Sequence, residues 1–157
     1  MKRIALKNGD FAKVDDEDFE KLSKFTWCLD SKGYAFRHFT SGGKQTRIKM
    51  HREVLGLKGK FPLADHRDCD RLNNQKHNLR QVTYAQNSAN RLIGVANTSG
   101  YKGVTWNKQS RKWQAGIKKD GKSKHLGLFE DPKEAHAAYC EAAKELFGEF
   151  ANKGDLA

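Results

Sequence analysis

Short runs of alternating apolar and polar residues open the chain and read as a strand pair, followed by a stretch with helical spacing. Asp15 stands where a helix N-cap belongs, Val14 and Phe19 have hydrophobic-staple spacing, and Phe19 and Leu22 fall on one face with Phe25 close behind. Alternation returns over residues 34–39 and 46–50, on either side of Ser41-Gly42-Gly43, and predicts a hairpin. Over residues 61–91 the periodicity fades, because the polar run from Asp65 to Asn78 interrupts what otherwise reads as strand, loop, strand and helix. Loops this rich in Asp, Asn and His usually carry function. Thr83 and Gln86 have capping-box spacing, which puts Asn87 in the first turn of a helix running toward Arg91.

Residues 93–98 show no pattern and read as a linker. Beyond it, residues 101–106, 112–118 and 122–129 read as three short strands, with Asp120-Gly121 suited to a tight turn between the last two. Asp131 then caps a helix that starts at Pro132 and ends near Phe147, before Gly148. Ala135, Ala138, Ala142 and Leu146 form a stripe of mostly small residues that lets this helix lie close to the sheet. Trp113, Ala115 and Ile117 are expected to face the helix, leaving Gln114, Gly116 and Lys118 on the open face. The fold class is therefore α+β, in two units.

Composition sharpens the expected partner. The chain of 157 residues has 30 Lys and Arg against 19 Asp and Glu, a formal charge of +11, which calls for a polyanion. A membrane surface fits less well than nucleic acid. No apolar run approaches the roughly 20 residues that span a bilayer, and the N-terminus lacks the apolar stretch of a signal peptide, so a cytoplasmic protein is expected. Cys28, Cys69 and Cys140 are too far apart to form a zinc knuckle, so a catalytic metal would rest on oxygen or imidazole.

The chemistry concentrates in Asp65, His66, Asn78 and Asn87. A strand-end Asp-His pair followed by an Asn in the first turn of a helix can set a carboxylate and an amide oxygen on one hard cation, with an imidazole beside it as base. Asn73 and Asn74 are open to two readings, motif residues or turn residues. His51, beside Met50 on an expected strand, reads as structural or phosphate-contacting, and His77 as solvated.

The segment 50–91 resembles the HNH endonucleases, especially the homing enzymes of phages and introns. It carries His51-Arg52, Asp65-His66-Arg67-Asp68, Asn73-Asn74, Asn78-Leu79-Arg80 and Asn87. The resemblance implies a ββα-metal core within residues 1–92, with His66 as general base, Asp65 and Asn87 as ligands of Mg²⁺ or Mn²⁺, and Asn78 bracing the loop and the ring of His66. It also implies hydrolysis of DNA to 5′-phosphate and 3′-hydroxyl ends. One site per chain suggests nicking of double-stranded DNA by a monomer, with a dimer as the route to double-strand cuts. A catalytically inactive DNA-binding regulator is the rival reading.

Residues 99–157 resemble the plant APETALA2-type DNA-binding domain through Tyr101-Lys102-Gly103-Val104, Lys112 to Ile117, Leu126-Gly127-Leu128-Phe129 and the helix around Glu134. That family lays its three-stranded sheet in the major groove, which implies DNA contacts from Lys102, Arg111, Lys112, Lys118 and Lys124. Where the plant domains have arginines, this sequence has mainly lysines, with Thr105, Asn107 and Ser123. Lysine lacks the bidentate fork that reads guanine.

Overall fold

The computed structural model describes residues 1–152 and 154. The C-terminal domain expected through residue 157 thus includes residues 153 and 155–157, which lie outside the described residues. The chain forms two compact units, Met1–Thr83 and Tyr84–Ala157.

In the first unit, β1 (Lys2–Ala5) and β2 (Phe11–Val14) pair antiparallel, with Lys2 opposite Val14. Helix α1 (Asp16–Leu22) follows. Asp15 occupies its N-cap position, but its side chain makes no cap hydrogen bond. The carboxylate instead accepts from Nε2 of Gln75 at 3.0 Å and from the backbone N–H of Lys76 at 2.7 Å. Phe25 lies beyond the helix and is 39% exposed, with the guanidinium of Arg37 over its ring. The core is made by Ile4, Leu6, Val14, Leu22, Trp27 and Met50, with Phe19 packed against them. Trp27 is fully buried, and its indole N–H donates to the Leu22 carbonyl at 2.8 Å, so no polar atom of the ring is stranded.

Strands β3 (Cys28–Leu29), β4 (Ala35–Ser41) and β5 (Lys44–Lys49) form a sheet in that order, the last two as the expected hairpin. Met50 does not continue β5. It opens a helical turn, α2 (Met50–Val54), because burying Met50 in the core turns the chain inward. His51 therefore sits on a helix, not a strand. Strands β6 (Leu63–His66) and β7 (Leu79–Val82) pair antiparallel across the polar loop.

The second unit begins with α3 (Tyr84–Ala89), which carries Asn87. Its sheet runs β10 (Lys122–Phe129), β9 (Lys112–Lys119), β8 (Val104–Asn107), all antiparallel. Asp120 and Gly121 both have positive φ, as a tight hairpin turn requires. Helix α4 (Pro132–Phe147) is capped by Asp131, which accepts from the Lys133 N–H at 2.8 Å, and a short 3-10 turn covers Gly148–Phe150. Its buried face is Ala135, Tyr139, Ala142, Ala143 and Phe147, so two aromatic rings fill space that the expected small-residue stripe would have left empty. Ala115 and Ile117 are buried, as the alternation predicts, with Trp113 packed beside them.

Candidate active site and nucleic-acid interface

Asp65 and His66 close β6, and the register sets them opposite Arg80 and Leu79. Asp65 and Arg80 are both buried, and Nε and Nη2 of Arg80 donate to Oδ2 of Asp65 at 3.1 and 3.0 Å. A carboxylate taken out of water needs such a partner.

His66 is 3% exposed. Its Nε2 lies 3.4 Å from Oδ1 of Asn74, and its ring meets His51 edge-on at 5.1 Å and Tyr34 at 5.9 Å between centroids. Burial pulls the imidazole below its ordinary value, against the opposing pull of Asn74, Asp68, Asp65 and Asp70. The ring is thus neutral at pH 7 and able to accept a proton.

The loop around His66 is braced from two sides. Oδ1 of Asn78 accepts from the Asp68 N–H at 3.1 Å, while its Nδ2 donates to Oδ1 of Asp68 at 2.8 Å and to the Asn73 carbonyl at 2.9 Å. The Asn78 carbonyl accepts from the Arg67 N–H at 2.9 Å. Asn78 therefore fixes the backbone next to His66, and the side chain of Asn74 reaches the ring. From the other side, Lys13 on β2 donates its N–H to the Leu72 carbonyl and accepts at its own carbonyl from Asn74, both at 2.8 Å. Its Nζ also meets Asp70 at 3.0 Å. Burial alone would raise the Asp15 carboxyl, but the hydrogen bonds from Gln75 and Lys76 outweigh it and hold the group below its ordinary value.

Asn87 is half-buried on α3, so the expected ligand pair Asp65 and Asn87 is divided between the two units. A carboxylate and an amide oxygen are donor types that a hard divalent cation takes. Among the described residues, no group of three or more His, Cys, Asp or Glu could hold a metal.

In the second unit, strand register sorts the expected DNA contacts. Lys118 pairs with Ser123 and lies on the open face with Gln114 and Gly116, whereas Lys124 pairs with inward-facing Ile117 and belongs to the helix side. His125, opposite Gly116, joins the open face. Lys112 shares that face but pairs with Glu130 at 2.8 Å, and Arg111 is exposed in the turn between β8 and β9. Lys102 is a correction. Its Nζ donates to the carbonyls of Ala89, Arg91 and Asn152, so its ammonium braces the unit and is not left for phosphate.

The chain is 32% identical, over 94% of its length and 78% of the other's, to a protein of Acanthamoeba polyphaga mimivirus named as an uncharacterized HNH endonuclease. The chain belongs to the HNH endonuclease family. Within this HNH endonuclease-family chain, residues 99–149 match the AP2 domain, a DNA-binding domain. It is also 36% identical over 55% of its length to Protein 3.8 of Escherichia phage T7, covering 71% of that protein. No solved structure matches. No helix among the described residues is long and apolar enough to cross a membrane.

His51 belongs to the quoted motif, but its place on an expected strand gave no cue that its ring, with that of Tyr34, would pack against His66. In the first unit, burial, then His66, Lys49 and Arg52, push the His51 imidazole down to about 3, with Asp30 partly opposing. The unfolded chain, with an ordinary value near 6.5, binds more protons than the folded one between those limits. The stabilisation is complete above about pH 6.5 and is lost as pH falls toward the folded value. Thermal melts should therefore show the first unit weakening from about pH 7 to pH 4. His51→Phe, which removes the titrating ring, should flatten that dependence, and an unchanged slope in the variant would acquit His51.

Proposed function

We propose that this chain is a divalent-metal-dependent endonuclease that nicks double-stranded DNA, with a nuclease domain at 1–92, a linker at 93–98 and a DNA-binding domain from 99. The observation that carries this reading is the neutral, buried imidazole of His66 beside Asp65 at a strand end, braced by Asn74 and Asn78, in a chain of the HNH endonuclease family.

His66 takes the proton of the attacking water, and its burial favours the neutral form that this step needs. Asn74 orients the ring, and Asn78 holds the backbone that carries it. Asp65 and Asn87 would hold Mg²⁺ or Mn²⁺, which when bound offsets charge on the scissile phosphate and the leaving 3′-oxygen. Lys118, Arg111 and Lys112 approach the DNA backbone from the second unit, and Lys102 and Lys124 do not. A second reading, a DNA-binding regulator without nuclease activity, draws on one observation: Arg80 already occupies Oδ2 of Asp65.

Supercoiled plasmid separates the two. With Mg²⁺ it should be converted to the open circle, and excess chelator should stop conversion without unfolding the protein. Robust cutting in chelator would remove the metal from the reading. Tight DNA binding with no cutting in either Mg²⁺ or Mn²⁺ would favour the regulator.

A further inference from the structure

The first unit carries an open cleft of about 690 Å³ between β5, α2 and the loop that leads to β6. Five of its lining residues are cations, namely Arg47, Lys49, Arg52, Lys58 and Lys60, and none is a carboxylate. Elsewhere in this unit some cations are paired, as Lys13 is with Asp70 and Arg37 with Glu53, whereas no carboxylate lines the cleft. Two of the five are held by hydrogen bonds or an ion pair, and Arg47 and Lys60 lie over the Phe36 and Phe61 rings. Arg52 donates to the Gly59 and Pro62 carbonyls at 2.7 and 2.9 Å and so fixes the loop that bears Lys58 and Lys60. Lys49 lies over the Tyr34 ring at 3.8 Å and 3.5 Å from Asp30. Arg47, Lys58 and Lys60 are exposed, so three charges on two sides of the cleft face solvent. His51 also lines the cleft, and its ring stands edge-on to His66.

We infer that this cleft is a second DNA-binding surface, separate from the AP2 sheet, in which Arg47, Lys58 and Lys60 hold successive phosphates of one strand along a path that ends at His51 and His66. Concave walls of one charge sign concentrate a polyanion, and flexible lysines on a fixed loop suit a repeating phosphate rather than a base edge. The AP2 domain thus locates the duplex, and the cleft delivers one strand to the base. The inference rests on the nuclease reading only for what that strand is delivered to, since its test is binding.

The test uses the full chain with Arg47→Gln, Lys58→Gln and Lys60→Gln combined, against a control with Lys7→Gln, Lys21→Gln and Lys24→Gln, which lowers net charge equally at exposed sites. Duplex affinity is titrated at several salt concentrations, with thermal melts to follow the fold. The cleft variant should lower the slope of log affinity against log salt by about 0.9 for each phosphate it no longer holds, close to three phosphates in all, while the control keeps the wild-type slope. A cleft variant whose slope matches the control overturns the inference, even if the wild-type protein cuts DNA. A wild-type protein that fails to cut, with the slope reduced only in the cleft variant, overturns the nuclease reading and leaves the DNA surface standing.

Discussion

Replacement of His66 by alanine should lower the rate of plasmid nicking by about a hundredfold or more while duplex affinity changes little. The imidazole is neutral because burial disfavours its charged form, and it is held in place from outside the reacting centre by Asn74 and by the edge of His51. Removing it takes away the proton acceptor but none of the cations that meet phosphate. Since His66 is buried, the variant also leaves a gap beside Tyr34, and a thermal melt must show that the first unit still folds. Asn74→Ala tests the positioning role separately. It keeps the ring but frees it, so the rate should fall less than in His66→Ala, with affinity again preserved. Single-turnover nicking beside a fluorescence titration decides the matter, and near-normal nicking by His66→Ala would take that residue out of the mechanism.

Gly103→Ala should destabilise the second unit by on the order of 3–5 kcal/mol, enough to unfold a small domain. Two costs combine at this position. The backbone has φ +76°, a conformation that L side chains rarely adopt, and a Cβ placed there would lie 2.0 Å from Cδ2 of Tyr139. Tyr139 cannot swing aside, because it is buried on α4 with the His136 ring stacked against it. Gly100 has a similar φ of +74° but nothing within 4 Å of its would-be Cβ, so Gly100→Ala should cost only about 1–2 kcal/mol. Denaturation followed by the fluorescence of Trp106 and Trp113 measures both, and equal effects in the two variants would show that backbone strain, not the clash, sets the cost.

What can be read from the sequence is what neighbouring residues decide among themselves. The β9–β10 hairpin follows from Asp120-Gly121 between two alternating runs, and the start of α4 from Asp131-Pro132. The same alternation already holds the answer for Lys124: the turn pairs residue 119 with 122, hence 117 with 124, and Ile117 alternates onto the helix side. The features that escape are those fixed by distant partners. Lys102 looks like any surface lysine until the carbonyls of Ala89, Arg91 and Asn152 converge on it. Asp15 has the spacing of a helix cap, yet a stronger demand from Gln75 and Lys76 claims its oxygens. Met50 alternates like a strand residue, but the core that buries it turns the chain into α2. At the candidate site the Asp65-His66 pair is visible as a motif, whereas the contact of Asn74 with the ring depends on how β2 seats the loop.

That seating has a consequence for the order of events during synthesis. The loop from Asp70 to Lys76 takes its shape from Lys13 and Asp15, about sixty residues earlier in the chain. Bringing segments that distant together costs chain entropy that local hydrogen bonds do not repay until both are present. A ribosome adds about 5–20 residues per second, so the β1–β2 hairpin is exposed seconds before the loop emerges and can act as a mould waiting for it. A fragment that began at Met50 would carry Asp65, His66, Asn78 and Asn87, but its loop would have no mould against which to set.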